Sequence, residues 1–161
     1  MGIFGDSDLT YLNPLAIINQ WSTIVPEAAG RGEKFFGLVE KAMNEMAIPT
    51  AEVKRKKVHA TKMSGKDDGG NEPCLYIHAT AFRGIDTYVV ARDWGKHLLL
   101  SRYACSLNAM DSLSEFEKEN LTAYLSFVHE AVLVATKEIM GELNKDFSKI
   151  NAKSQGLIDI V

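Results

Sequence analysis

Residues 74–105 read CLYIHATAFRGIDTYVVARDWGKHLLLSRYAC, and the architecture depends on how this stretch divides. Three runs rich in β-branched, aromatic and leucine residues, CLYIHATAF, IDTYVVARD and KHLLLSRYAC, are separated by FRG and DWG. Both separators end in glycine. A three-residue hairpin loop calls for glycine at that third place, where a type I turn is followed by a left-handed residue in a G1 bulge. The stretch therefore predicts three antiparallel strands, with Ala81 facing Ile85 and Arg92 facing Lys96.

Side chains alternate across a strand, so this register assigns two faces. One collects Leu75, Ile77, Ala79, Ala81, Ile85, Val89, Ala91 and Leu99 and is the expected core. The other collects Tyr76, His78 and Thr80, then Asp86, Tyr88 and Val90, then Leu98, Leu100 and Arg102, with Asp86 directly across from Arg102. A sheet apolar on both faces needs cover on both, from the chain's own helices or from a partner.

Upstream, residues 52–62 are β-branched and charged and predict a fourth strand, while SGKDDGGNEP at 64–73 has the make-up of an exposed loop. Asn13 followed by Pro14 is a helix start signal, and Leu15, Ile18, Trp21 and Val25 would share one side of a helix near 14–25. Beyond Pro26 and the glycines at 30 and 32, a second helical stripe runs from Phe35 and Phe36 through Val39, Ala42 and Met43 to Met46. Downstream, Ser112-Leu-Ser-Glu115 has the spacing of a capping box and opens a long helix to about residue 146. Leu121, Leu125, Val128, Val132, Ala135 and Ile139 form its main stripe, and Ala123, Phe127, Ala131 and Val134 widen it beyond what packing on one sheet requires. The expected fold is α+β: two N-terminal helices, a four-stranded antiparallel meander with a lysine-rich edge, and a long C-terminal helix on the sheet. Residues 1–150 read as a single domain and 151–161 as an apolar tail, which adds an edge strand, packs locally or is handed to a partner.

A chain of 161 residues can bury a core without disulfides or metals. Its 46% hydrophobic and 24% charged residues exclude wholesale disorder, collagen-like repeats and polytopic membrane proteins. The net charge of -3 gives no global pull towards nucleic acid or an anionic membrane, and the basic excess is confined to residues 31–66. Cys74 and Cys105 are too few and too far apart for a disulfide scaffold, and no positive side chain precedes Arg31, so a signal peptide is not indicated. The longest apolar stretch, 121–135, holds His129 and Glu130 and is too short for a bilayer crossing. A cytoplasmic protein is expected.

Two groups of residues carry potential chemistry. Lys54, Arg55, Lys56 and Lys57, with Lys62 after them, would bind anions such as nucleic acid, an acidic protein or anionic lipid, or would guard an exposed sheet edge against pairing. Tyr76, His78, Asp86, Tyr88 and Arg102 would form the floor of a small-molecule site or face a partner, with an Asp86–Arg102 ion pair as the plainer explanation. Cys74 and His78 lie roughly 13 Å apart along a strand and cannot act as a nucleophile pair. His129 reads as a structural histidine, and no metal-ligand spacing, phosphate-binding glycine loop or nucleophile elbow occurs, so neither metal nor cofactor is expected. The sequence points to a non-catalytic interaction or assembly module, with self-association the simplest way to cover its surplus apolar surface. Anion binding and a ligand or enzymatic pocket on the mixed sheet face are the alternatives.

Overall fold

The structure is a computed structural model and describes residues 9–61, 67–108 and 110–157. In chain order the elements are β1 (Leu9–Leu12), β2 (Ile17–Val25), α1 (Gly32–Met46), β3 (Ala51–Thr61), β4 (Asp67–Ala79), β5 (Ile85–Trp94), β6 (His97–Ser106), α2 (Glu115–Glu142) and β7 (Gln155–Gly156). All seven strands join one mixed sheet in the order β1-β3-β4-β5-β6-β2-β7. The β1–β3 pair is parallel and the other pairs are antiparallel. Two N-terminal helices and a four-stranded meander are thereby corrected to one helix before the central strands, one long helix after them, and a larger sheet.

The first predicted helix is a strand. Asn13 does cap a helical turn, its side chain accepting the Leu15 N–H at 3.0 Å, but that turn ends at Ala16. The adjoining segment IINQWSTIV is β-branched at Ile17, Ile18, Thr23, Ile24 and Val25, residues that lose rotamer freedom in a helix and pack well on a pleated surface. It pairs along β6, with Trp21 beside Arg102 and Val25 beside Leu98.

The second correction is one of register. Trp94 pairs with His97, so the β5–β6 loop is only Gly95 and Lys96, with Gly95 at φ 61 as a two-residue turn with glycine first requires. Arg92 therefore meets Leu99 instead of Lys96, an odd shift that turns β6 over. Leu98, Leu100, Arg102 and Ala104 face the helices, and Asp86 pairs with Cys105. Between β4 and β5 the loop is longer than predicted, with a helical turn at Thr80–Phe82 and Gly84 at φ 83. The shift there is even, so Tyr76 and Tyr88 pair and the faces are kept.

DDGGNEP also continues as strand, pairing with β3. It tolerates Pro73 because the β4–β5 ladder begins only at Cys74, so the proline's missing N–H is not needed by β5.

Strand order and chain connectivity together force the sheet to coil. Between Leu12 at the end of β1 and Ile17 at the start of β2 the chain spans at most about 18 Å. Across a flat sheet those two strands would be separated by five strand spacings, about 24 Å. Coiling brings β1 back over the helix-free face, where Thr10 hydrogen-bonds the Tyr88 hydroxyl at 3.1 Å and Leu12 packs with Val58, Tyr88 and Val90. On the opposite face α1, through Phe35, Val39 and Met43, and α2, through Leu125, Val128, Val132 and Ile139, close the main core with Trp21, Leu75, Val89 and Leu100. The α2 capping box is formed by Ser114 and Glu117, two residues beyond the expected pair.

At the other edge, β7 pairs Gly156 with Asn19 and Gln155 with Gln20, and Leu157 N–H donates to Ile18 C=O at 2.8 Å. Gly156 sits at φ 146, and a Cβ there would lie 2.3 Å from the Ile18 carbonyl oxygen. Gly156→Ala is expected to strip β7 from β2 at a cost of about 1–2 kcal/mol, read as faster tryptic cleavage at Lys153 with the remaining fold retained.

Candidate functional site

The basic run does not form one patch. Strand alternation sends Lys54 and Lys56 to the helix-free face and Arg55 and Lys57 to the helix side, as their partners Tyr76, Cys74, Leu75 and Pro73 require. Arg55 reaches α1, where Nη1 donates to both Glu33 carboxylate oxygens at 2.7 Å and Nη2 to Glu40 at 2.5 Å, with the guanidinium over the Phe36 ring. Burial alone would lower the Arg55 pKa, but the Glu40 and Glu33 carboxylates outweigh it and hold the group above its ordinary value. Lys56 caps the Tyr76 ring at 4.3 Å and Lys54 lies 3.8 Å from Glu52. Because β1 pairs only with residues 57–60 of β3, Lys54 and Lys56 stand on the half of β3 that β1 leaves uncovered, where lysines discourage edge pairing. Lys62 lies outside the described residues.

Four of the five mixed-face residues do come together. The Tyr76 hydroxyl donates to Asp86 at 2.6 Å, the Tyr76 ring stacks on His78 and lies 5.7 Å from Tyr88, and His78 contacts Glu52 at 3.1 Å. Burial raises the Tyr76 hydroxyl pKa, and the Asp86 hydrogen bond adds to the shift; burial likewise pushes Tyr88 up to about 12. These side chains contact one another directly. The thiols of Cys74 and Cys105 on the same face are pushed up to about 12 by burial, which keeps them protonated and unreactive at neutral pH.

Arg102, the fifth, is on the other side of the sheet, fully buried beneath α2. Its Nε donates to His129 Nδ1 at 3.1 Å and its Nη2 to Asn19 Oδ1, while Nη1 has no partner among the described residues. Burial lowers its pKa to about 10, which still leaves a cation at pH 7. Because His129 accepts at Nδ1, its proton sits on Nε2, which donates to the Ala152 carbonyl at 2.7 Å. Asn19 donates to Ser154 and the Trp21 indole to the Asn151 carbonyl at 2.7 Å. The network pins the segment after α2 to the sheet. Sequence reasoning missed Asn19 and Ser154; Arg102 and His129 were visible, but their meeting depends on the two-residue turn at Gly95.

The outer side of α2 is different in kind. Phe116 is 78% exposed, Phe127 55% and Val134 41%, and Ala123 is also exposed. Helical geometry places all four, with Glu130 and Gly141, on one line facing away from the core. Glu119 and Lys137 flank that line on the same side, each without an ion-pair partner among the described residues.

Fold and surface together define a class: an α+β protein with a coiled mixed sheet, helices on one face, and a long helix apolar on both its inner and outer sides. Set against known protein families and curated proteins, the chain matches none. Among the described residues no helix is long and apolar enough to cross a membrane.

Proposed function

We propose that this protein is a non-catalytic interaction and assembly module that pairs with a second copy of itself through the outer side of α2. The observation that carries this reading is the exposed Phe116–Ala123–Phe127–Val134 line on a helix whose inner side is already sealed. The register is that of a second α2 laid antiparallel. Phe116 faces the small Gly141 of the second copy, Ala123 faces its Val134, and Phe127 lies across the stem of its Glu130 near the two-fold axis, with the Glu130 carboxylates at the rim. The same register sets Lys137 beside Glu119 of the second copy, twice per pair, engaging charges that have no partner among the described residues.

Sedimentation equilibrium up to about 1 mM is the test. The native chain is expected to dimerise, and Phe127→Glu to weaken dimerisation at least about 30-fold, the loss of a hot-spot aromatic. At concentrations low enough to keep the native chain monomeric, where Phe127 is exposed, the variant's thermal midpoint should lie within about 2 °C of the native one. A native chain that stays monomeric throughout contradicts the proposal.

A further inference from the structure

A cavity of about 260 Å³ lies between the turn at Thr80–Phe82, the end of β6 and the first turns of α2. Phe82, Ile85, Met110, Leu113 and Leu121 give it an apolar lining, and Arg83, Asn108, Glu117 and Asn120 add polar groups. Its walls are held in place before anything enters. Phe82 stacks on Tyr124 with ring centroids 4.8 Å apart, and Ile85 and Leu121 are anchored in the main core. Leu107 N–H donates to Gly84 C=O at 2.9 Å, and Ser106 Oγ both donates to the Asn108 carbonyl and accepts from its N–H.

The polar groups are underused. Arg83 has no ion pair or hydrogen bond among the described residues, and the same holds for the Asn120 side chain. Glu117 uses one carboxylate oxygen to cap α2, at 3.3 Å from Ser114 N, which leaves the other available. A cation, a carboxylate and two amides around an apolar box match a molecule with a zwitterionic head and an apolar body. We propose that this cavity binds a free α-amino acid with an apolar side chain. Arg83 takes its carboxylate, Glu117 its ammonium, and the side chain enters among Phe82, Ile85, Met110, Leu113 and Leu121.

Calorimetric titration of the full chain with L-phenylalanine and L-leucine tests this, with 3-phenylpropionate and 2-phenylethylamine as single-headed probes. One of the amino acids is expected to bind with a Kd below about 10 mM, and each single-headed probe at least about tenfold more weakly. Arg83→Gln should weaken amino-acid binding by at least about tenfold, and so should Glu117→Gln, which keeps the capping hydrogen bond and hence the helix. No saturable binding of either amino acid, equal affinity for 3-phenylpropionate, or native-like affinity in Arg83→Gln would each overturn it.

Discussion

Lowering the pH from 6.5 to 4 is expected to remove about 3 kcal/mol of folding stability through His129 alone. Burial, and then the neighbouring Arg102 cation, push its pKa down from 6.5 to about 4 in the folded chain, against a smaller opposing effect of the Ala152 carbonyl. Between those values the unfolded chain binds a proton that the folded chain refuses, so stability falls as the pH falls through this window and levels off below it. The geometry explains the refusal. Nδ1 already accepts from Arg102 and Nε2 already donates to Ala152, so a second ring proton would break the Arg102 hydrogen bond and place two cations in contact. Glu130, the next residue along the helix, is exposed and offers no buried counter-charge. Urea unfolding between pH 4 and 7.5 should show the slope in the native chain. His129→Leu should be less stable at pH 7 by about 2 kcal/mol, from the unpaired Arg102 Nε and Ala152 carbonyl, and should lack this part of the slope. Parallel curves for the two proteins would show that His129 does not carry the acid sensitivity.

Trp21→Ala is expected to cost about 4 kcal/mol, the largest single loss anticipated here. Trp21 is buried in the main core, meets the His129 ring edge-on at 5.5 Å, and pairs across the ladder with Arg102. Its removal opens a cavity beside a buried cation and frees the Asn151 carbonyl. For a chain of this length that loss corresponds to a fall in thermal midpoint of roughly 8–16 °C. Trp21→Phe separates the two contributions, because it keeps most of the apolar volume but has no N–H for Asn151. It should cost about 1–2 kcal/mol and speed proteolysis beyond residue 150. Equal midpoints for Trp21→Phe and the native chain would remove the indole hydrogen bond from the account.

What was legible in the chain was its local structure. The α1 stripe from Phe35 to Met46 repeats at helical period over several turns, and the capping signal before α2 was misplaced by only two residues. Strands β3 to β6 were readable from their β-branched content. The sequence stopped being decisive where a choice depended on distant residues. At 14–25, Leu15, Ile18, Trp21 and Val25 satisfy a helical period, but β6, some eighty residues downstream, supplies the ladder that makes the segment a strand. At DWGK, glycine serves either as the third residue of one loop or the first of a shorter one, and that ambiguity carried Arg102 from the sheet's open face to its core. At DDGGNEP, turn-forming composition was overridden by backbone pairing with β3. Tyr76, His78, Asp86 and Tyr88 stay together on one face because they share two adjacent strands whose register differs from the expected one by an even shift. The basic run was visible as a run, but its division between two faces by alternation, and the capture of Arg55 by Glu33 and Glu40, take it apart as a single surface.

The sharpest test of α2 pairing with α2 is cysteine trapping between separately prepared chains. Cys74 and Cys105 are buried and do not compete. Chains carrying Ala123→Cys mixed with chains carrying Val134→Cys should form a disulfide-linked heterodimer under mild oxidation, in clear excess over either homodimer, and Phe127→Glu in both chains should abolish it. Homodimers in equal yield, or no cross-linked product from otherwise native chains, would contradict the antiparallel pairing on which the proposed function rests.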